Sequence, residues 1–246
     1  MAEIESEDTT PSRGGRANSA SEELAVALSR IARSLEHEDD VQGTLDAIVR
    51  AAVGTVPGAQ HASISKIKNR REVTTVASTS ELSRRVDQAQ YDAREGPCLD
   101  VLYQRRTVHV PDMATERQWP GFSRKASEFG AGSMLSVQLF VEGDDLGALN
   151  LINESPHAFD VDSEHVGLLF ASHAAVAIVG AEREAQFRDA LALRDVIGQA
   201  MGILMERHGF TANRAFAVLV RLSQNQNRKL HDLARQIVDS RVLPGT

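Results

Sequence analysis

The chain has 246 residues, 42% hydrophobic and 25% charged, with a net charge of −7; this is the balance of a globular protein with one or two domains. A single cysteine, Cys98, excludes an internal disulfide and fits a reducing cytoplasm. No run reads as a membrane span, because the most apolar stretch, 166–181, is interrupted by His173 and small residues, and the polar, acidic start lacks the apolar core of a secretory signal.

Residues 1–20 are small, polar and acidic and are expected to be disordered. After the candidate N-cap Ser21, Leu24, Leu28, Ile31 and Leu35 recur at 4-3-4 spacing, a narrow apolar seam on a helix over 21–40. Such a seam pairs with another helix, either the long helix at 163–185 or its own mate in a second subunit. A second helix is predicted at 41–53, ended by "VPGA". The period then shifts to two: "HASISKIK" and "EVTTVAS" flank "NRR" as a hairpin. "ELSRRVDQAQY" and "EGPCLDVLYQRR" read as short helices, "TVHV" as a strand and "GFSRKASEFG" as a helix that stops at Gly130. "SMLSVQLFV" and "DLGALNLI" form a second hairpin around "EGD". A long helix follows from a cap at Asp162 or Ser163. Hairpins interleaved with helices predict an α+β domain over 41–182, with an antiparallel sheet and helices on one or both faces.

From 183 onward strand signal disappears. Helices are expected at about 186–207, 212–223 and 228–241, with Thr211 and Asn227 as N-caps and Gly209 as a stop. Leu193, Ile197, Ala200 and Leu204 line one apolar face; Ala215, Phe216 and Leu219, then Leu230, Leu233, Ala234 and Ile237, supply the facing ones, a three-helix bundle. Residues 186–246 hold nine basic and five acidic side chains, a balance of +4 on a chain whose remainder carries −11. A basic end on an acidic body points to an anionic partner there.

The C-terminal segments "ALALRDVIGQAMGILM", Ala215–Phe216 and "LSQNQNRKLHDLARQIV" resemble the ANTAR domain, a helical RNA-binding module of bacterial transcription antiterminators. The middle segments "REGPCLDVL", "VHVPDMATERQWPGF", "GSMLSVQLF" and "LGALNLINESPHAF" resemble a GAF domain of the actinobacterial type. The resemblance implies a cytoplasmic, non-enzymatic, signal-responsive regulator that acts as a homodimer and binds paired RNA hairpins, relieving transcription termination. It implies a small-molecule sensor in the GAF domain without naming the ligand or cofactor. Met201 stands where relatives carry a lysine, so one phosphate contact of the family would be lacking here.

Loop bases are read by hydrogen bonds and stacking, and phosphates are held by cations. The polar groups suited to this are Arg194, Gln199, Arg221, Gln224, Asn225, Asn227, Arg228 and Lys229. Gly198 and Gly202, four apart on one side of a helix, leave a strip bare of side chains that admits RNA backbone or seats a neighbouring helix. Phe216 is expected in the core, so stacking should matter little. In the sensor, Cys98 at a helix start near Arg94 and His109 on a strand are the candidate ligand-binding residues. The eight histidines show no metal-ligand spacing, and no catalytic constellation is present. Two other readings stay open: a DNA-binding repressor that uses the bundle as a helix-turn-helix, and a redox sensor or reductase centred on Cys98.

Overall fold

The computed structural model describes residues 40–68, 72–103, 106–141 and 144–240. The expected disordered start and the Leu24–Leu35 seam lie outside the described residues. The chain divides into two compact units at residues 181 and 182.

In the first unit, α1 (Val41–Thr55) opens on Asp40, whose Oδ1 accepts from Gly43 N at 2.6 Å. The first hairpin is β1 (His61–Lys68) and β2 (Glu72–Ser78). Three short helices and an edge strand follow: α2 (Glu81–Ala93), α3 (Pro97–Tyr103), β3 (Thr107–Val110) and α4 (Pro120–Glu128). The second hairpin is β4 (Ser133–Val141) and β5 (Asp144–Asn153). The five strands lie in the order β2-β1-β5-β4-β3, and every neighbouring pair is antiparallel. Both hairpins carry a bulge. Ile64 pairs with Ala77 and Ser65 with Thr75, so Val76 is the extra residue in β2.

Alternation along the strands sends side chains to two cores. On one face Ile64, Leu135, Val137, Leu149 and Leu151 pack with α1 and with Phe170, Ala174 and Ile178 of α5 (Val161–His208). On the other, Val108, Val110, Met134 and Ile152 pack under Val86, Val101 and Phe122 of α2, α3 and α4. Trp119 is buried there, with Pro120 at the first turn of α4.

The second unit is a bundle of the C-terminal part of α5, α6 (Ala212–Asn225) and α7 (Leu230–Ser240). Ala200, Leu204, Ala215, Leu219, Leu233, Ala234 and Ile237 form its buried centre. Thr211 caps α6 as expected, its Oγ1 accepting from Arg214 N.

Several details differ from the sequence reading. The helices read at 163–185 and about 186–207 are one element: α5 runs unbroken over 48 residues, since nothing between Glu182 and Ile197 interrupts a helix. Its cap is Asp160, not Asp162 or Ser163. Asp160 Oδ1 accepts from Ser163 N at 2.8 Å, while Asp160 N donates to Ser163 Oγ at 3.1 Å, a reciprocal box. Asn227 is not an N-cap: with φ 52° it follows the end of α6, donating to Gln224 O while Arg228 N donates to Ser223 O. That pair of bonds is a Schellman closure, which favours glycine or asparagine at the left-handed position. Leu193 stays outside the bundle core. One window within α5 is apolar and long enough to cross a membrane by length and composition, but its Phe170, Ala171, Ala174, Ala175 and Ile178 pack into the sheet core.

Gly147 is the residue on which the β1–β5 junction closes. At φ 148° it lies where a Cβ would collide with the carbonyl oxygen of Ser65. Gly147→Ala is therefore expected to destabilise the first unit by at least about 1–3 kcal/mol, read as a lowered urea midpoint of Trp119 fluorescence; an unchanged midpoint would contradict this packing.

Candidate functional site

The bundle presents its polar residues in two places. Arg194, Gly198, Gln199 and Gly202 lie on one exposed arc of α5. A Cβ built on Gly198 or Gly202 meets nothing within 4 Å, so no helix of this bundle seats on the strip. Two open depressions flank Gln199. One, of about 530 Å³, is bordered by Gly202, Glu206 and Arg207; the other, of about 510 Å³, by Arg194, Asp195, Gly198 and Phe216. Arg221, Gln224, Asn227, Arg228 and Lys229 sit instead towards the α6–α7 corner, all exposed. Arg228 is held there by a hydrogen bond to Gln236 Oε1, and its carbonyl accepts from Ser223 Oγ. None of these five borders either depression, so the polar set forms an arc and a corner rather than a single pocket. Met201 is half-buried against the bundle core. Phe216 is not a core residue: it is 44% exposed, because the buried face of α6 turns on Ala215 and Leu219.

The first unit holds a polar layer that alternation alone places on a solvent face. Ser63, Ser65, Ser136 and Asn150 share the sheet face that meets α2, and all four are fully buried. From α2, the buried Asp87 and Gln90 reach this layer together with Tyr91. Asn150 Nδ2 donates to Asp87 Oδ1 at 2.9 Å and to Ser65 Oγ at 3.1 Å, while Asn150 Oδ1 accepts from Ser136 Oγ at 2.8 Å. Thr75 Oγ1 donates to Asp87 Oδ2 at 2.8 Å, and the Tyr91 hydroxyl bonds Ser65 and Thr75. Among the described residues, Ser63 Oγ and Gln90 Nε2 in this layer, and His109 Nε2 outside it, are buried without a hydrogen-bond partner.

The "REGPC" turn frames this layer. Glu95 Oε1 accepts from Gly121 N and Phe122 N, capping α4 across space. Gly96, at φ 140°, lets the backbone pass Gln90, whose Oε1 stands 2.5 Å from where a Cβ would be. Gln90 Oε1 in turn accepts from Cys98 N at 2.8 Å. Cys98 is fully buried, and burial, with the nearby Asp87 charge, pushes its thiol up to about 12. The position near Arg94 does not yield a thiolate. His109 lies on the opposite sheet face, paired with Leu135 and edge-on to Phe159, where burial lowers its pKa. Cys98 and His109 therefore do not converge on one pocket. Among the described residues no three His, Cys, Asp or Glu side chains gather as metal ligands.

Sequence reasoning passed over Asp87, Gln90, Tyr91 and Asn150. The signal was present: the polar register of β1, β4 and β5 carries Ser, Ser, Ser and Asn, whereas strands facing water carry Lys, Glu and Arg. Burial pushes the Asp87 carboxyl up to about 6, opposed only in part by the hydrogen bonds it accepts. The folded chain thus holds this proton more tightly than the unfolded chain, whose value is the ordinary 3.8. The resulting stability is complete below about pH 4 and is lost as pH rises through 6, up to about 3 kcal/mol. Denaturation followed by the single tryptophan, Trp119, should show this decline between pH 4 and 6, and Asp87→Asn should flatten it; an equal slope in the variant would assign the decline elsewhere.

Comparison with known proteins places both units. Residues 38–179 match the GAF domain family, and residues 185–238 match the ANTAR domain. No curated protein sequence matches the chain. Among solved structures, the GAF domain of a phosphoenolpyruvate-protein phosphotransferase from Coxiella burnetii aligns with TM-score 0.51 at 17% identity, over 67% of this chain and 97% of that one. The GAF domain of the Acinetobacter phosphoenolpyruvate-protein phosphotransferase gives 0.51 at 16%, over 66% and 97%. The chromophore-binding domain of the bacteriophytochrome RpBphP3 from R. palustris gives 0.51 at 12%, over 68% and 63%. At such identities these likenesses speak for the fold alone. With an antiparallel sheet enclosed by helices over the first match and a three-helix bundle over the second, the chain belongs to the GAF domain family and carries an ANTAR domain behind it.

Proposed function

We propose that this protein is a cytoplasmic, non-enzymatic transcription antiterminator that binds tandem RNA hairpins through its ANTAR bundle, as a homodimer, under control of its GAF domain. The observation that carries the reading is the bundle's match to the ANTAR domain, together with an open arc bearing Arg194, Gln199 and bare Gly202. Guanidinium and amide groups beside a side-chain-free strip suit close approach by a phosphate backbone. The α6–α7 corner adds Arg228 and Lys229, and Arg221 adds a further cation, to a segment whose balance is +4. In the sensor, the unpartnered Gln90 Nε2 beside Asp87 and Cys98, and the unpartnered His109 Nε2 on the opposite sheet face, are the two places where a small polar ligand could be read. Exposed Leu169 and Val176 in the first unit, and Phe187 and Leu191 in the second, support self-association through α5. A signal acts on RNA binding only if it binds two arrangements of the dimer unequally.

Gel shifts at one fixed salt concentration should rank a two-hairpin RNA above a single hairpin, and both above duplex DNA of equal length. Equal or absent binding to all three would remove the antitermination reading, and a preference for the duplex would make the protein a DNA-binding repressor. Gly202→Leu separates contact from packing. Because a side chain there enters open space, melting should hold or rise, by up to about 1 kcal/mol of helix propensity, while RNA binding falls at least tenfold. A collapsed bundle would refute the exposed placement of the strip.

A further inference from the structure

Phe216 is the side chain that the bundle's packing leaves unexplained. The neighbouring aromatic, Phe210, is engaged: it stacks on His208 at 5.3 Å and lies beneath the Arg214 guanidinium at 4.7 Å. Phe216 has no such ring or cation partner among the described residues, and it borders the open depression beside Gly198. That depression combines four chemistries in about 510 Å³: an aromatic ring, a backbone without a side chain at Gly198, a cation at Arg194 and a carboxylate at Asp195. Among the described residues neither Arg194 nor Asp195 is tied up in an ion pair, although they are adjacent in sequence. Ile197 and Met201 complete the depression's apolar floor, and opposite charges and the Gln199 amide edge it, the mix of flat apolar surface and hydrogen-bonding rim that a base requires.

We infer that this depression receives one unstacked base of an RNA loop, with Phe216 as the stacking platform and Asp195 as the reader of the base's N–H edge. The inference rests on the RNA-binding reading above and assigns a subsite within it. A flat ring fits over Phe216 because Gly198 offers no Cβ to obstruct it. Arg194 holds the adjoining phosphate, which fixes the nucleotide but not its identity. An ionised carboxylate only accepts hydrogen bonds, so Asp195 favours bases that present amino or imino N–H groups and disfavours an edge of carbonyl acceptors. Stacking, a minor contribution if Phe216 were a core residue, is thereby concentrated at one position.

The test uses the full chain and two-hairpin RNAs with randomised loops, enriched by repeated binding to the wild-type protein. If nothing enriches, the RNA reading itself fails and this subsite falls with it. With an enriched RNA in hand, Phe216→Ala should weaken binding about 5- to 100-fold without lowering the melting temperature, and Phe216→Trp should restore it. Replacing each loop nucleotide in turn by an abasic site should reveal one position where wild type and Phe216→Ala bind equally. Asp195→Asn should change the base preferred at that same position while leaving the other loop positions alone. Wild-type affinity in Phe216→Ala on an RNA that wild type binds would overturn the subsite and leave the RNA reading standing. So would a change in oligomeric mass of RNA-free Phe216→Ala, which would assign the ring to a protein interface.

Discussion

The hydrogen bond from Asn150 Nδ2 to Asp87 Oδ1, 2.9 Å long and wholly buried, joins the central strand of the sheet to the helix that covers it. Much of the GAF unit follows from the need to satisfy these two groups away from water. A buried carboxyl without partners would be costly, so Thr75 supplies a second donor and Tyr91 closes the ring through Ser65. Asn150 has both an acceptor and two donors to place, and Ser136, Ser65 and Asp87 take them. The six residues come from five elements: β1, β2, β4, β5 and α2, which supplies both Asp87 and Tyr91. An apolar layer could tolerate sliding of α2 over the sheet by a fraction of a turn. This one cannot, because every bond has a single geometry that satisfies it.

The same constraint explains the turn that follows α2. Gln90 must face inward to receive Cys98 N, which brings the chain so close that only a residue without Cβ can stand at Gly96. Glu95, turned the other way, caps α4 and so fixes the third helix of that face. A short motif thereby sets three helices at once. Its cysteine, which draws attention as a lone thiol, is a packing residue within this frame, protonated through the physiological range because burial outweighs everything else around it.

How much of this was legible depends on the kind of signal. Period-two stretches identified all five strands and both hairpins, because Ile64, Leu135, Leu149 and Leu151 must face one core whatever the details. Alternation could not tell that the opposite register is also buried, since Ser and Asn are compatible with either environment; only the absence of long charged side chains distinguished it. The unity of α5 was obscured by domain logic, which invites a break where none of the residues requires one. Asn227 satisfied the composition rule for an N-cap and the rule for a left-handed helix end equally well, and the short span between α6 and α7 decided for the latter. Phe216 was misplaced because apolarity was read as burial. On a helix whose core positions are Ala215 and Leu219, the residue between them and next to Ala215 points about 100° away from it.

That last point bears on how so small a bundle can bind anything. Seven fully buried residues, three of them alanine, hold the centre of the ANTAR unit. A core this slight cannot give up members to a binding surface without unfolding. The groups proposed to carry recognition, Arg194, Asp195, Gln199 and Phe216, are all outside it, and the two glycines between them add no packing at all. Stability therefore rests on small apolar residues that permit close helix approach, and the proposed recognition on polar and aromatic groups whose loss the core would not register. Gly198 and Gly202 belong to the second set. They weaken the helix by about 1 kcal/mol each relative to alanine, a penalty that the bundle's own packing does not require and that the proposed RNA backbone lying close against the helix would.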